Sequence, residues 1–446
     1  MRSDDGVVAD AIIVGGGYSG TMAAAQLVRR GISTALVEGA GRAGRGTAYS
    51  TPEDVHLLNV PAAKMSAWAD QPDHFAQAVA GDGFGPGDFV PRRRFGTYLT
   101  DQLEEAKAAG LRVVEATAES ALRVEGGWAV TLNDGSVLTA KALLLANGNQ
   151  PPERLRVAEG LSGKAFVNDP WSDEGRAAIR DAVASGGDVL VLGTGLTMVD
   201  VVLSLSDAGH GGRIVALSRR GQLPRGHASH DAAPVEADEV PHGSVLGLWR
   251  WLRRRASAVG WRGAVDSLRP HSQRLWQSFS PAEQRRFLRH ARPWWDVHRH
   301  RIAPQIAARL KELIGEGRLE IVAGRVTEMG ETGEGVEVSI ARRGRALSPA
   351  PSREREYFAL VINCTGPLGS MARSRDPLLR QMLDEGAVEI DALGMGLTVD
   401  GDSRAGDRVW ALGPLAKGQF WEIVAVPDIR TQVAAVADDI AKELHR

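Results

Sequence analysis

The chain has 446 residues, with 53 Lys and Arg against 55 Asp and Glu, and its formal net charge of −2 gives no reason to expect nucleic-acid binding. Its length predicts two or three domains, and 43% hydrophobic with 24% charged residues is typical of a globular enzyme in water. We expect a cytoplasmic protein. The acidic start is no signal peptide, no apolar run could span a bilayer, and the single cysteine, Cys364, excludes an intramolecular disulfide.

The first informative pattern is an apolar run at residues 11–14 that ends in a glycine-rich turn and continues into a helix-forming segment. This order predicts a dinucleotide site, because the glycines allow a tight turn, a close phosphate and close packing of helix on strand. The helix N-terminus attracts the phosphates, and an acid ending the next apolar run can accept from a ribose hydroxyl. The predicted contacts are Gly15, Gly17, Tyr18, Ser19, Gly20 and Glu38.

The rest of the first 150 residues predicts a long loop, a helix and several strands. The loop starts in the glycine-rich segment after residue 39, and a long loop of mixed composition is typical of a segment that wraps a ligand. We expect a helix at 95–109 and strands at 111–117, 120–124, 128–132, 137–139 and 141–146. The last strand ends in Asn147-Gly148, and Pro-rich residues 150–152 indicate the exit from the first domain.

A second nucleotide-type unit begins with the apolar run at 188–192, which ends in Gly193-Thr-Gly195 and leads into a helix at 199–207. Met198 replaces the third glycine, so this match is less specific than the first. The next strand, 213–217, ends in a hydroxyl and two cations, which suit a 2′-phosphate and favour NADPH over NADH. The alternative is a solvated strand end. The predicted contacts are Gly193, Gly195, Leu196, Thr197, Ser218, Arg219 and Arg220.

Residues 241–303 differ in composition from the rest of the chain, with 13 arginines, three acids and six of the 11 tryptophans. We expect a helical insert whose arginines face water or an anionic ligand. A membrane or nucleic-acid surface is the less favoured alternative, because no contiguous apolar face accompanies the charge. Within the insert, Arg292, His298 and Arg301 are candidates for binding an anionic substrate, with His298 and Arg301 on one helix face. The alternative is surface and capping positions, and no metal site is expected.

The remaining elements suggest two interleaved domains. Strands are expected at 319–323, 336–340, 358–363 and 408–412, followed by a helix at 429–443. The predicted fold class is α/β, with two Rossmann-like dinucleotide-binding domains and a helical insert at about 241–303. The first domain, 1–152 and 355–446, is expected to hold FAD, because an acid suits an unphosphorylated ribose. The second domain, 160–350, is expected to hold NAD(P)H.

Motifs spread over nearly the whole chain resemble the largely uncharacterised FAD/NAD(P)-binding protein family related to flavin-containing and N-hydroxylating monooxygenases. They are Gly15-Gly-Gly-Tyr-Ser-Gly20, Gly46-Thr-Ala-Tyr-Ser-Thr51, His56-Leu-Leu-Asn-Val-Pro61, Phe89-Val-Pro-Arg92, Gly193-Thr-Gly-Leu-Thr-Met-Val-Asp200, Trp294-Trp-Asp-Val-His-Arg-His300, Ala411-Leu-Gly-Pro414 and Phe420-Trp-Glu422. The resemblance implies a glutathione-reductase-like two-domain flavoprotein. It also implies that the loop around Asn59, with Val60 and Gly413, lies near the flavin, and Thr47 and Gly148 are further expected cofactor contacts.

The resemblance implies an NAD(P)H-dependent monooxygenase that oxygenates a small, possibly nitrogen-containing, substrate with O2 through a C4a-(hydro)peroxyflavin. The catalytic candidates are Asn59, as an amide near the flavin, and Trp421, after a flavin-contacting loop. The alternatives are a turn-forming asparagine and a core aromatic. Two other functions stay open: a reductase that passes electrons to a quinone or protein, and a non-catalytic flavin-binding interaction protein. His227 and His230 are either cofactor contacts or ordinary loop residues.

Overall fold

The computed structural model describes residues 7–333, 335–342 and 353–445, so residues 1–6, 334, 343–350 and 446 of the two predicted domains lie outside it. The strands are β1 (Val7–Val14), β2 (Thr34–Val37), β3 (Arg112–Val114), β4 (Ala118–Val124), β5 (Gly127–Leu132), β6 (Val137–Leu145), β7 (Phe166–Val167), β8 (Val189–Leu192), β9 (Ile214–Ser218), β10 (Leu319–Glu331), β11 (Val336–Arg342), β12 (Arg353–Phe358), β13 (Leu360–Asn363), β14 (Arg404–Gly406) and β15 (Val409–Ala411). The helices are α1 (Tyr18–Arg29), α2 (His74–Ala80), α3 (Arg92–Ala108), α4 (Asp173–Ser185), α5 (Leu196–Asp207), α6 (Val245–Ser267), α7 (Ser272–Ser278), α8 (Pro281–Arg286), α9 (Arg292–Arg299), α10 (Pro304–Gly315), α11 (Pro377–Asp384) and α12 (Val426–Leu444).

The first sheet is built around β1, which pairs in parallel with β2 on one side and β6 on the other. β3 extends the sheet beyond β2, and β15 from the end of the chain pairs in parallel with β6. Ala11, Ile12 and Ile13 of β1 are fully buried because α1, α3 and α12 cover one face of the sheet, while the β4–β5 hairpin and α11 cover the other. Residues 137–145, expected as two strands, form the single strand β6.

The second sheet has the strand order β12-β11-β10-β9-β8-β13-β7. The neighbouring strands β7, β13, β8, β9 and β10 pair in parallel. By contrast, β10, β11 and β12 form an antiparallel meander. The proposed domain boundary at residue 355 is therefore wrong in detail, because β12 and β13 pair in this sheet rather than in the first. We keep the two-domain division as a proposal, with the first domain resuming after residue 363.

The arginine-rich residues 241–303 are helical, as expected, and contain α6 to α9. α6 bends at Gly260, where φ is +75°, and the following helices pack around buried Trp276 and Trp295. The insert therefore has an apolar core beneath its charged surface, which Val235, Val240 and Met395 from outside the insert complete. Within the part of the chain that the structure describes, no helix is long and apolar enough to cross a membrane.

Candidate cofactor and substrate site

The glycines between β1 and α1 have different roles. Gly15 has φ of +103°, and a Cβ there would lie 2.4 Å from the Ala146 carbonyl oxygen. A Cβ on Gly20 would lie 1.8 Å from the Gly15 oxygen, so both positions require glycine for folding. A Cβ on Gly17 would meet only Gly46, at 3.6 Å. Gly17 is also the N-cap of α1 and makes no side-chain cap, so space and free N–H groups are left for a phosphate.

Glu38 lies beside this turn. Its Oε2 accepts from the Gly16 N–H at 2.7 Å and its Oε1 accepts from the Ala40 N–H at 2.8 Å. Each carboxylate oxygen has a second lone pair, so Glu38 keeps the capacity to accept from ribose hydroxyls. The loop that contains exposed Thr47 is anchored to the same turn, because the Gly44 N–H donates to the Gly16 oxygen at 2.9 Å. These contacts fit the ADP part of FAD.

The end of the chain completes the first site. A Cβ on Gly413 would lie 3.2 Å from the Ser19 Oγ, and the Gly413 N–H donates to Gln432 of α12 at 2.9 Å. The Tyr18 hydroxyl donates to the Val426 oxygen at the start of α12, at 3.4 Å. The N-terminal ends of α1 and α12 are thereby held together. Ser19 and Gly413, which are far apart in sequence, therefore lie side by side, and their contact with FAD stays a prediction.

Asn147 is a candidate that the sequence reasoning missed. Its Nδ2 donates to Asp376 at 2.9 Å, while its Oδ1 is buried and accepts no hydrogen bond from the described residues. A buried acceptor without a donor is destabilising, so a ligand hydroxyl at this place would satisfy it. Asn147 lies two residues after the end of β6, and its backbone N lies 3.1 Å from where a Cβ on Gly15 would be. A polar residue at the carboxyl end of a central strand was the available signal.

The turn into α5 repeats the geometry of the first turn. Gly193 has φ of +116°, and a Cβ there would lie 2.3 Å from the Cys364 oxygen. A Cβ on Gly195 would meet nothing within 4 Å, and Gly195 is an N-cap without a side-chain hydrogen bond. A missing cap alone is not distinctive, because α4, α6, α8 and α11 have a serine or aspartate cap but α2, α3, α7, α9, α10 and α12 have none. The distinctive feature of this end is the free space at Gly195. Leu196 and Thr197, both half-buried, begin the open end of α5.

The residues at the end of β9 divide into one structural hydroxyl and two free cations. The Ser218 Oγ accepts from the Gly221 N–H at 3.0 Å and lies 2.9 Å from the Thr194 hydroxyl, so it holds the adjacent loop. Arg219 is exposed and Arg220 is half-buried, and neither guanidinium has a partner among the described residues. Two unpaired guanidinium groups beside the open end of a helix suit a phosphate monoester.

A hydrogen bond from His227 joins the loop after β9 to the loop that contains Asn59. The His227 Nε2–H donates to the Asn59 backbone oxygen at 3.0 Å, and its ring lies 5.1 Å from that of Phe89. Burial lowers the pKa of His227 below its ordinary value of 6.5, so the neutral ring is favoured. The side-chain amide of half-exposed Asn59 has no partner among the described residues and is available to a ligand.

Trp421 lies where the C-terminal segment packs against the insert. Its ring stacks on Trp276 with centroids 4.7 Å apart and an interplanar angle of 25°. The carboxylate of neighbouring Glu422 accepts from the Trp295 Nε1–H at 2.5 Å and the Arg299 Nε–H at 3.0 Å. This packing favours the core role that the sequence left open for Trp421 over direct participation in catalysis.

The proposed substrate residues of the insert do not share a helix face, so that part of the prediction is wrong. α9 ends at Arg299, and Arg301 lies beyond it, buried, with both terminal nitrogens on Asp266 at 3.0 and 2.6 Å. The His298 Nδ1–H donates to the Trp294 oxygen at 2.7 Å. Exposed Arg292 donates to Asp296 at 3.2 Å. All three side chains are engaged within the insert.

A different set of cations lines a polar pocket of about 450 Å³ between the insert and α12. Four cationic side chains face two carboxylates there, namely Lys64, Arg269, Arg299 and Arg430 against Glu422 and Asp428. Arg299 pairs with Glu422 and Arg269 lies 3.8 Å from Asp428, whereas Lys64 and Arg430 form no ion pair within the described residues. Burial raises the pKa of Asp428 and lowers that of Arg269. The described residues contain no cluster of three or more His, Cys, Asp or Glu side chains that could hold a metal ion.

Residues 12–150 match the family model described as FAD-NAD(P)-binding, which confirms the first dinucleotide-binding unit. No curated protein matches the chain. The fold is similar to reduced ornithine hydroxylase from Pseudomonas aeruginosa, with a TM-score of 0.67, 15% identity, and coverage of 98% of this chain and 100% of that one. The fold is also similar to ornithine N-hydroxylase from Kutzneria sp. 744, described with reduced FAD, NADP+ and L-orn. The TM-score is 0.68 and the identity 13%, with coverage of 98% of this chain and 99% of that one. For T. acidophilum thioredoxin reductase the TM-score is 0.57 and the identity 14%, with coverage of 98% of this chain and 99% of that one. The predicted two-domain flavoprotein fold is thereby confirmed.

Proposed function

We propose that the chain is a cytoplasmic FAD-dependent oxidoreductase that takes hydride from NADPH, and that it acts as a monooxygenase. The observation that carries this proposal is the pair of open helix ends in one chain. α1 begins beside the carboxylate of Glu38. α5 begins after Thr194, whose hydroxyl lies 2.9 Å from the Ser218 Oγ, and Arg219 and Arg220 directly follow Ser218 in the chain. An acid suits the unphosphorylated ribose of FAD, and cations suit the 2′-phosphate of NADPH.

The residues around α1 fit FAD. Gly17 leaves room for the pyrophosphate, Glu38 accepts from the ribose, and the orphaned Asn147 Oδ1 accepts from a further hydroxyl. The Asn59 amide is available to the ring system, and Gly413 closes the site from the C-terminal side. When bound, the flavin supplies hydride acceptance and reactivity with dioxygen. The chain's own task is to orient the partners and to exclude water.

Similarity to both hydroxylases and a thioredoxin reductase leaves two oxidoreductase functions to weigh. A reductase of the disulfide-relay type needs two cysteines, and this chain has only Cys364. That thiol is buried behind the Gly193 turn, and burial raises its pKa well above the ordinary value, so it is no reactive thiolate. We therefore favour oxygenation, with electron transfer to a quinone as the alternative.

The polar pocket is our candidate for part of the substrate site, in place of the insert face that the sequence suggested. The unpaired cations Lys64 and Arg430 line it together with the start of α12. They would bind an anionic group of a small substrate, such as a carboxylate. Asn59 lies five residues before Lys64, so the proposed flavin contact and the proposed anion-binding cation are near each other along the chain.

The test separates oxygenation from reduction. FAD-loaded protein is reduced anaerobically with NADPH and then mixed with isotopically labelled dioxygen and a panel of small amines, amino acids and aromatic carboxylates. If the protein is a monooxygenase, at least one compound of the panel should lower the yield of hydrogen peroxide per NADPH. The same compound should afterwards contain the labelled oxygen. Full peroxide yield with every compound, combined with fast electron transfer to menadione, refutes the monooxygenase and supports the reductase. Absence of any reduction by NADPH refutes both.

A further inference from the structure

The segment after β9 connects the two proposed cofactor sites. Residues 219–227 begin with the two arginines that we assign to the 2′-phosphate of NADPH and end at His227. The start is tied to the turn into α5, because the Thr194 hydroxyl donates to the Gln222 oxygen at 2.6 Å. The end is held by the chain beyond α9, because the His227 N–H donates to the Ile302 oxygen at 2.9 Å. Both ends of the segment are therefore anchored.

The His227 ring holds the backbone of Asn59. Its Nε2–H donates to the Asn59 oxygen at 3.0 Å, and this oxygen accepts from no other group among the described residues. The preceding residue is held from another side, since the Leu58 N–H donates to the Val90 oxygen at 2.8 Å. The ring packs on Phe89, with centroids 5.1 Å apart. One hydrogen bond from the NADPH side thus fixes the peptide next to the amide that we assign to the flavin.

We propose that His227 is a positioning residue, which holds the Asn59 amide at the flavin in register with NADPH bound at the other end of its own segment. Only seven positions separate Arg220 from His227, so the phosphate contacts and the Asn59 contact belong to one short, anchored piece of chain. The link between this register and hydride transfer rests on the proposed function. The hydrogen bond that produces the register belongs to the chain alone.

This role separates cofactor binding from reactivity. Hydride transfer needs the reacting atoms about 3–3.5 Å apart, and a shift of about 1 Å can lower a rate by about 10²-fold. Loss of the His227 hydrogen bond releases the Asn59 peptide but leaves Arg219 and Arg220 in place. The rate of flavin reduction should therefore fall while the affinity for NADPH stays the same. A histidine that only stabilised the fold would change neither the rate nor the flavin spectrum.

The first test is rapid-mixing reduction of FAD-loaded protein by NADPH. His227→Phe keeps a ring against Phe89 but removes the donor. It should lower the limiting rate about tenfold or more, with less than about a twofold change in the half-saturating concentration of NADPH. His227→Gln, which retains a donor, should recover most of the rate. His242→Phe, the same substitution at an exposed histidine before α6, should behave like the parent protein.

The second test needs no NADPH and follows the visible absorbance and circular dichroism of bound, oxidised FAD. His227→Phe and Asn59→Ala should each shift the flavin spectrum. Because His227 acts through Asn59, the double variant should show only the shift of Asn59→Ala. Retained FAD content shows that each variant is folded.

The proposal is overturned by an unshifted spectrum in His227→Phe, by additive shifts in the double variant, or by equal losses of rate in His227→Phe and His227→Gln. A fall in NADPH affinity that accounts for the lost rate would overturn it as well. If NADPH does not reduce the parent protein but the spectra respond as expected, hydride transfer is refuted, and His227 is still shown to position Asn59 at the flavin.

Discussion

Arg92 at the start of α3 forms a two-bond ion pair with Asp200 on α5, with N–O distances of 2.7 and 3.0 Å. The two side chains are only 15% and 7% exposed. The Arg92 Nε–H also donates to the Leu57 oxygen at 3.1 Å. α3 covers the first sheet and α5 covers the second, so this pair joins the two halves of the molecule. It fixes the helix whose open end we assign to NADPH.

Breaking this pair should destabilise the protein strongly. In Asp200→Asn the buried Arg92 charge loses its counter-charge, and we expect a loss of about 3–5 kcal/mol in the free energy of unfolding. The measurement is urea denaturation of the FAD-loaded protein. The matched control is Asp54→Asn, which disrupts the exposed pair of Asp54 with the adjacent Arg93 and should cost about 1 kcal/mol or less. Similar losses in the two variants would contradict a structural role for the buried pair.

Gly17 and Gly20 of the α1 turn should respond differently to alanine. Gly17→Ala places its Cβ in ordinary van der Waals contact with Gly46, at 3.6 Å, so the protein should fold but bind FAD at least about tenfold more weakly, because the phosphate loses a charge-assisted hydrogen bond. Gly20→Ala should fail to fold, since its Cβ would overlap the Gly15 oxygen. Far-ultraviolet circular dichroism and flavin content measure the two effects. A Gly17→Ala variant with full flavin affinity would refute the phosphate position.

The arginines after β9 should determine the choice between nicotinamide cofactors. Replacing Arg219 and Arg220 together with Gln should raise the KM for NADPH at least about tenfold, because charge-assisted bonds to the 2′-phosphate are lost. The KM for NADH should stay unchanged. Steady-state reduction with each cofactor provides the measurement, and Arg253→Gln with Arg254→Gln, on the exposed face of α6, is the control. An equal effect on both cofactors would exclude a 2′-phosphate contact.

His227 should make stability pH-dependent. Its pKa in the folded protein is lowered by burial, so its contribution is full above its ordinary value of 6.5 and is lost as the pH falls through the lowered pKa. The melting temperature should therefore decline between about pH 7 and about pH 5. His227→Gln, which retains a donor for the Asn59 oxygen, should show a shallower decline. His290→Gln, at an exposed histidine of the insert, should behave like the parent protein, and an identical slope in all three proteins would contradict the assignment.

Local chemistry explains which features could be read from the sequence. The turns at Gly15 and Gly193, the acid at Glu38 and the free cations after β9 all depend on residues close together in the chain. The sheet to which β13 belongs could not be read in this way, because an apolar run predicts a buried strand but does not select its neighbours. The two-residue strand β7 and the parallel pairing of β13 with β8 are long-range outcomes.

The substrate region was harder to predict for the same reason. Lys64, Arg269 and Arg430 are far apart in the chain. They line one pocket only because α12 packs beside α1 and the insert. Arg301 was expected on a helix because no glycine or proline marks the end of α9. Its guanidinium instead forms the Asp266 pair beside Trp261, a tertiary contact that helix periodicity does not encode.

The most direct test of the account is anaerobic titration of FAD-loaded protein with NADPH while the visible absorbance of the flavin is followed. We predict complete bleaching at one equivalent of NADPH per flavin, with NADH acting only at higher concentration. In Gly195→Val, where a side chain blocks the open end of α5, the flavin content should be unchanged and the bleaching much slower. A flavin that stays oxidised in the unmodified protein would contradict the proposal that this chain transfers hydride between two nucleotides.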